Sequence, residues 1–435
     1  LWLHAWYDPV SGIRAYTSCL DLADLNGDGD YKLLVADEAK KLRVYKQTST
    51  IIESNLMEKP IAVKAYYMDY QSPRTPAIAV ASGHHLFLYK NYVPYFKFTL
   101  PPVPVHPTEQ DIWKRLKDGK LSIANAMDDL ETARDEGVKL TNRSIDLLAL
   151  EYEELIKEFV TSSIVVPLRQ QTVLTCMDIL KKDRNDEQAV GCLVVGTENS
   201  QIMILDPTGA SIIKKVALPG VPAFIRPSGT YDVEYRIVIG CRNGNIYTVK
   251  NGELTGIVIE LESQIVDVVR LGKKIVIATM AGIIHCYHIK GKKQYSMYME
   301  SPVTNMQVMD VTATRGMKCL LVALRNGEIR VYNDKNLLET IETEDVITGM
   351  VFGTYGRERY NLIVTFKSRS LLMKILPRQA KLDVPGKNVG PPKEQSIPLN
   401  IPKKKALCMF SMQKESENLA LKCTEFFSGI CANCA

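Results

Sequence analysis

The stretch IVIGCRNGNIYTV, residues 237–249, decides the fold. Two apolar runs flank Asn243-Gly244, a dipeptide that favours a tight hairpin because both turn positions need positive φ. Asn326-Gly327 separates a second pair of runs in the same way, in LLVALRNGEIRVY at 320–332. We therefore predict a β-hairpin at each of these places.

The same pattern of an apolar run, a small residue, a polar turn and a second apolar run occurs seven times. The intervals between the small residues are 45, 115, 44, 38, 45 and 42 residues. Four strands fit a period of about 40 to 45 residues, and a ring of such units protects its sheet edges. The repeat predicts an all-β, seven-bladed β-propeller; the alternative is a pair of β-sandwiches with coincidental spacing. The small residues are Ala36, Ala81, Gly196, Gly240, Ala278, Ala323 and Thr365.

The one long interval predicts a small α-helical insertion between the second and third blades. Thr108 and Asp111 resemble a capping box at the start of a first helix. A second helical stretch follows at 121–133, and apolar residues spaced by three and four between Ile145 and Phe159 predict a third helix.

The two ends of the chain are expected to meet in one blade, because the seventh repeat lacks a fourth strand and the residues from Trp2 to Tyr7 can supply it. The Pro-rich text after the last repeat indicates an extended linker. The predicted domains are blades 1 and 2 at 1–105, the insertion at 106–160, blades 3 to 7 at 161–380, the linker at 381–405 and a poorly ordered tail at 406–435.

Composition and motifs argue against several classes of function. The net charge of +5 in 435 residues is mild and spread out, which disfavours nucleic-acid binding. We find no phosphate-binding loop, nucleophile elbow or zinc-protease motif, so we predict no enzyme activity and no cofactor. Six cysteines stand singly in apolar runs, as expected in a reducing compartment. They are Cys19, Cys176, Cys192, Cys241, Cys286 and Cys319.

The segment Asp24-Leu25-Asn26-Gly27-Asp28-Gly29-Asp30 is the sharpest chemical candidate. Its oxygen-bearing residues at positions 1, 3 and 5 resemble the start of a calcium loop, but the twelfth position is Val35 where such a loop needs Glu. A tight turn held by Asn, Asp and Gly is the favoured interpretation. A propeller-type calcium loop is the alternative, and we predict no metal site.

Seven stretches, in order, resemble the Bardet-Biedl syndrome 1 family over residues 1 to about 405. They are 21–37 (DLADLNGDGDYKLLVAD), 73–83 (PRTPAIAVASG), 89–100 (YKNYVPYFKFTL), 192–207 (CLVVGTENSQIMILDP), 241–247 (CRNGNIY), 324–332 (LRNGEIRVY) and 352–356 (FGTYG). The resemblance is lost near Leu407, where members of the family continue into further domains.

The resemblance implies a scaffold subunit of the BBSome, a coat-like complex that carries membrane proteins into and out of cilia. It also implies the partners: other BBSome subunits, the tails of ciliary membrane-protein cargo, and a GTP-loaded ciliary Arf-like small GTPase that recruits the complex to membranes. Membrane association would then be peripheral and depend on partners. The implied location is the cytoplasm and the cilium, including the ciliary base, basal body and ciliary membrane.

In this family the GTPase binds chiefly to the first and last blades, which correspond here to residues 17–57 and 346–380. We predict contacts at positions on those blades whose sequence suggests exposure. These are Asp28, Lys32, Tyr355, Arg357, Arg359, Arg369 and Arg378. Two alternatives stay open: a propeller scaffold of another vesicle coat or adaptor, and a calcium-dependent propeller enzyme.

Overall fold

The strands form six β-sheets, five of four strands and one of eight. In the eight-stranded sheet, a single parallel bridge between Lys181 and Thr230 joins two sets of four antiparallel strands. The chain therefore contains seven units of four antiparallel strands, one after another. They are seen in a computed structural model that describes residues 1–380 and 382. The predicted linker at 381–405 and tail at 406–435 lie outside the described residues, apart from Leu382.

The first strand of the chain, β1 (Leu3–Asp8), belongs to the last unit. Unit 1 consists of β2 (Leu20–Ala23), β3 (Lys32–Asp37), β4 (Lys41–Lys46) and β5 (Ser49–Asn55). Unit 2 consists of β6 (Pro60–Tyr66), β7 (Ala77–Ser82), β8 (His85–Lys90) and β9 (Val93–Thr99). Unit 3 consists of β10 (Leu174–Lys181), β11 (Gly191–Thr197), β12 (Gln201–Leu205) and β13 (Ile212–Ala217). Unit 4 consists of β14 (Pro222–Thr230), β15 (Glu234–Cys241), β16 (Asn245–Lys250) and β17 (Glu253–Glu260).

The remaining units repeat the same arrangement. Unit 5 consists of β18 (Ile265–Leu271), β19 (Lys274–Thr279), β20 (Ile283–His288) and β21 (Lys293–Tyr298). Unit 6 consists of β22 (Val303–Asp310), β23 (Lys318–Leu324), β24 (Glu328–Asn333) and β25 (Asn336–Glu342). Unit 7 consists of β26 (Ile347–Tyr355), β27 (Glu358–Phe366), β28 (Leu371–Ile375) and β1.

In two repeats the small residue is a glycine that lies where a neighbouring strand comes close. A Cβ atom on Gly196 would lie 2.6 Å from Cys176 Sγ and 2.8 Å from Pro222 Cγ. A Cβ atom on Gly240 would lie 2.9 Å from Val268 Cγ2. All seven small residues are buried. Close packing of interior side chains therefore explains the periodic small residue.

The first strands of successive units contact one another from β2 to β26, and β26 in turn contacts β2. Aspartate side chains link neighbouring first strands in two places. The backbone N–H of Ala65 in β6 donates to Asp21 Oδ2 at 2.7 Å, and that of Met306 in β22 donates to Asp267 Oδ2 at 2.9 Å. The seven first strands thus form a closed ring.

Both ends of the described chain enter the sheet of unit 7. Strand β1 pairs antiparallel with β28, from Leu3 opposite Ile375 to Asp8 opposite Leu371. The prediction that residues near Trp2 to Tyr7 supply the fourth strand of the last repeat is confirmed. Pairing in one sheet joins residues more than 350 positions apart in the sequence.

Four helices lie between β9 and β10: α1 (Pro107–Lys117), α2 (Ile123–Asp135), α3 (Asn142–Leu148) and α4 (Glu153–Ile164). A 3-10 helix (Thr17–Cys19) precedes β2, and α5 (Thr312–Arg315) lies between β22 and β23. The first four helices share an apolar core that includes Trp113, Leu130 and Leu147. Among the residues that the structure describes, no helix is long and apolar enough to span a membrane.

Two details of the predicted helices are wrong. The segment expected to form one helix from Ile145 to Phe159 is two helices, because α3 ends at Leu148 and α4 starts only at Glu153. The expected capping box is also absent: α1 begins at Pro107, so Thr108 lies inside its first turn. The fixed φ of proline favours the first helical position, which explains the earlier start.

The six predicted core cysteines are all buried and unpaired. Burial raises the pKa of the thiols of Cys19, Cys176, Cys192 and Cys241 to about 12, so they stay protonated near neutral pH. They pack as small apolar side chains.

Candidate partner-binding surface

The connection between β2 and β3, residues 24–32, is held together by its own aspartates. Asp24 Oδ1 accepts the backbone N–H groups of Gly27 at 2.9 Å and Asp28 at 3.2 Å, and its Oδ2 accepts that of Gly29 at 2.8 Å. Gly27 and Gly29 have φ of 72° and 75°, a region that glycine adopts at little cost. The structure therefore has the tight turn that the sequence favoured.

Asp28 is exposed at the tip of this loop, as predicted, but Lys32 is not. Lys32 is only 1% exposed. Its Nζ donates to the backbone carbonyl of Asp30 at 3.1 Å and lies 3.8 Å from Asp28 Oδ1. The prediction that Lys32 is exposed is wrong because every residue of β3 is buried. The backbone N–H of Asp30 lowers the pKa of the Asp28 carboxyl, and the charge of Lys32 acts in the same direction.

The loop at 24–32 is joined directly to the hairpin turn of unit 7. Tyr31 and Gly356 form an antiparallel bridge. The N–H of Tyr31 donates to the Gly356 carbonyl at 2.9 Å, and the N–H of Gly356 donates to the Tyr31 carbonyl at 2.8 Å. The connection between the first two strands of unit 1 and that of unit 7 therefore form one surface. We define the unit 1/7 surface as residues 24–32 and 355–359 with Arg378.

Tyr355, at one end of the segment 355–359, is buried and only 6% exposed. Its hydroxyl donates to the carbonyl of Gln47, in the turn between β4 and β5, at 2.7 Å. Burial raises the pKa of Tyr355, and the nearby carboxylate of Asp30 adds to the shift. The predicted exposure of Tyr355 is wrong because the aromatic ring packs into the core shared by units 1 and 7.

The exposed part of the surface carries three arginines. Arg357 and Arg359 lie in and just after the turn between β26 and β27, and Arg378 follows β28. Arg378 Nη2 lies 3.8 Å from Glu358 Oε2, and both side chains are largely exposed. Exposed charged side chains in a fixed arrangement suit recognition of an oppositely charged partner.

Tyr31 was not predicted as a site residue, yet it lies at the centre of the surface. Burial raises its pKa, and the carboxylates of Glu187 and Asp24 act in the same direction. The nearby charge of Arg359 opposes them. The sequence around Tyr31 does not predict this role, because its bridge partner Gly356 is 325 residues away.

Arg369 is not part of this surface. It lies in the turn between β27 and β28, and its backbone carbonyl accepts a hydrogen bond from the Ser11 hydroxyl at 2.7 Å. Successive hairpin turns of a meander alternate between the two ends of the strands, so the nine residues of β27 separate Arg369 from Arg357. The structure brings Asp28, Arg357, Arg359 and Arg378 to one end of the strands and places Arg369 at the other.

The acidic side chains of the unit 1/7 surface are candidates for metal ligands. In the described part of the chain, no group of three or more His, Cys, Asp or Glu side chains is placed to hold a metal ion. The carboxylate of Asp30 lies 3.1 Å from Lys46 Nζ and that of Asp24 accepts backbone N–H groups. These acidic groups stabilise the loop.

Comparison with known proteins decides the family. The model of ciliary BBSome complex subunit 1 matches residues 2–250. The chain is also 40% identical over 423 residues to BBSome complex member BBS1 of Homo sapiens, covering 96% of this chain and 71% of the human protein. A match of this length extends past Leu407, so the expectation that the resemblance is lost there is wrong. The chain belongs to the BBSome subunit 1 family. The family member of Mus musculus is 39% identical over the same length.

Solved structures of this family share the fold. Two structures of BBS1N in complex with ARL6DN, one soaked with mercury and one with lead, match this chain with a TM-score of 0.73 and 37% identity. Each match covers 88% of this chain and 99% of the BBS1N chain. The chain therefore has the propeller-like, mainly β fold of the family, and its membership associates it with the ciliary BBSome complex.

Proposed function

We propose that this chain is a non-enzymatic scaffold that binds the GTP-loaded form of an Arf-like small GTPase through the unit 1/7 surface. The observation that carries the proposal is the bridge between Tyr31 and Gly356, which joins loops of the first and last units into one rigid surface. A family member that matches 88% of this chain was solved in complex with ARL6DN, which supports an Arf-like GTPase as the partner.

The proposed architecture is a closed, seven-bladed β-propeller in which each four-stranded unit is one blade. The ring of first strands from β2 to β26 supports it, as does the pairing of β1 with β28. The helices α1 to α4 are then an insertion between the second and third blades. We retain 1–105, 106–160 and 161–380 as the domain limits.

We further propose that GTPase binding recruits the chain, together with other BBSome subunits, to ciliary membranes for the transport of membrane proteins. Membrane association would be peripheral and depend on these partners, and cargo tails would bind elsewhere in the complex or chain. The proposed location is the cytoplasm and the ciliary base, basal body and ciliary membrane. Family membership supports this role.

Within the surface, the direct contacts are proposed to be Asp28, Arg357, Arg359 and Arg378. Each is exposed at the same end of the strands. Lys32 and Tyr355 are buried and act by holding the exposed residues in place. Arg369 serves as a natural control because it is also exposed but lies at the opposite end of β27.

Charge reversal tests the surface. The double substitution Arg357→Glu and Arg359→Glu is expected to weaken binding of the GTP-loaded Arf-like GTPase by about tenfold or more, which corresponds to roughly 1.4 kcal/mol. Arg369→Glu is expected to leave the affinity unchanged. Calorimetric titration of the full chain measures both. A folded double variant with wild-type affinity would remove these two arginines from the interface.

A further inference from the structure

The loop at 24–32 matches a calcium loop not only at positions 1, 3 and 5 but also at positions 6 and 7. Such a loop takes side-chain oxygens from positions 1, 3 and 5, has Gly at 6, uses a backbone carbonyl at 7 and places a further ligand at 9. Counted from Asp24, these positions hold Asp24, Asn26, Asp28, Gly29, Asp30 and Lys32. The ninth position therefore carries a cation where a calcium loop has a ligand.

The side chain of Lys32 points into the loop. Its Nζ donates to the carbonyl of Asp30, the seventh position, at 3.1 Å, and lies 3.8 Å from the carboxylate of Asp28, the fifth position. Both groups are ones that a bound calcium ion would use. An ammonium group has three N–H donors and therefore needs fewer oxygen partners than calcium. The loop can hold it even though Val35 supplies no ligand at the twelfth position.

Burial makes this pairing necessary. The Lys32 side chain is 1% exposed, and a buried charge without partners would be strongly unfavourable. The loop supplies the compensation, because it carries three aspartates and only one lysine, Lys32. The more exposed Lys46, in β4, pairs with Asp30 from outside the loop. The Lys32 ammonium therefore already neutralises part of the negative charge that a divalent ion would need.

We propose that Lys32 is a built-in cation that takes the place of a divalent metal ion and holds the unit 1/7 surface in its binding form without calcium. The consequence for the partner rests on the proposed GTPase-binding function. The proposal that Lys32 takes the place of a metal ion in the loop does not depend on that function.

The link to the surface is short. Lys32 follows Tyr31, whose backbone makes both hydrogen bonds to Gly356. A second contact holds the other side of the loop, where the hydroxyl of Tyr92 in unit 2 donates to Asn26 Oδ1 at 2.7 Å. Lys32 is thus a positioning residue, and its loss would release Asp28 and the turn that carries Arg357.

The test compares Lys32→Met, Lys32→Asp and a matched control, Lys46→Met, in the full chain. Lys46 pairs with Asp30 in the same loop at 3.1 Å, but its side chain is 41% exposed. Thermal unfolding in calcium or in EDTA, calorimetric titration with calcium alone, and titration with the GTP-loaded GTPase are measured for each. The first two readouts do not depend on the GTPase.

Wild-type protein is expected to bind no calcium and to unfold at the same temperature in calcium and EDTA. Lys32→Met should unfold earlier and bind the GTPase about tenfold more weakly in both solutions, whereas Lys46→Met should resemble wild type. Lys32→Asp should gain calcium binding, and calcium should restore its unfolding temperature and affinity.

Three results would overturn the proposal: calcium binding by the wild type, a Lys32→Met variant with wild-type stability, or a folded Lys32→Asp variant that gains no calcium binding. If Lys32→Asp does not fold, the measurements on the wild type and on Lys32→Met decide whether Lys32 takes the place of a metal ion. If the wild type binds no GTPase, the proposed function fails while the calcium and unfolding measurements still test Lys32.

Discussion

Gly196 shows how the packing between neighbouring units constrains a single residue. A Cβ atom there would lie 2.6 Å from Cys176 Sγ, whereas one on Gly256 in β17 would meet nothing within 4 Å. We expect Gly196→Ala to lower the free energy of unfolding by about 1–3 kcal/mol because the core is overpacked. Gly256→Ala should be neutral or slightly stabilising, since it reduces the entropy of the unfolded chain.

Urea denaturation measures both substitutions under the same conditions. If both alanine substitutions change the free energy of unfolding equally, the close contacts at Gly196 do not exclude a larger side chain there. The same steric argument applies to Gly240, where a Cβ atom would lie 2.9 Å from Val268 Cγ2.

Exposure of individual site residues was the part least open to prediction from sequence. Lys32 and Tyr355 were expected at the surface from their positions on the first and last blades. Lys32 instead begins the buried strand β3 and bonds to the Asp30 carbonyl, and the Tyr355 hydroxyl bonds to the Gln47 carbonyl. The Tyr355 contact cannot be found without knowing which loops meet, because Gln47 lies 308 residues away in the sequence. The position of Arg369 could have been deduced, because successive turns of a meander alternate between the ends of the strands.

At the level of elements, the helices α1 to α4 depend on one buried carboxylate. Glu109 in α1 is fully buried and accepts hydrogen bonds from the backbone N–H and hydroxyl of Thr141 and from the hydroxyl of Ser144. The Ser144 hydroxyl in turn accepts the indole N–H of Trp113 at 2.8 Å. These contacts fix α3 to α1.

Glu109→Ala would leave several buried donors without an acceptor, each at a cost of about 1–3 kcal/mol. We expect amide hydrogen exchange to become faster in α1 to α4 and to stay unchanged in the strands of units 4 to 6. Glu131→Ala, an exposed position on α2, is the control. Faster exchange throughout the strands in Glu109→Ala would contradict the separate core of the helices.

The break between α3 and α4 explains why the spacing rule failed there. Apolar residues at intervals of three and four continue from Ile145 to Phe159, although the chain leaves the helix between Leu148 and Glu153. Ile145 and Tyr152 are exposed, so this periodicity does not trace one buried face. Strands were easier to predict, because each hairpin has both an apolar pattern and its own turn residues.

At the level of the whole molecule, β1 completes the last unit with residues from the other end of the described chain. Five residue pairs join β1 to β28. Deletion of residues 1–9 should lower the free energy of unfolding by roughly 3–5 kcal/mol, at about 1 kcal/mol for each lost hydrogen bond. Deletion of residues 1–2 alone leaves the strand intact and is the control.

Chemical denaturation of both truncated chains, followed by tyrosine and tryptophan fluorescence, tests this expectation. Equal stability of the two truncations would mean that pairing with β28 contributes little. The period of the sequence and the incomplete last repeat were enough to predict this closure. They could not show that closing the ring also brings the loop at 24–32 against Gly356, because that contact joins two non-repeating loops.

The most direct test of the account is calorimetric titration of the full chain with the Arf-like GTPase, loaded with a non-hydrolysable GTP analogue or with GDP. We expect saturable binding of the GTP form and at least about tenfold weaker binding of the GDP form. Equal affinity for both forms, or no binding of either by folded protein, would contradict the proposal that the unit 1/7 surface recognises an activated GTPase.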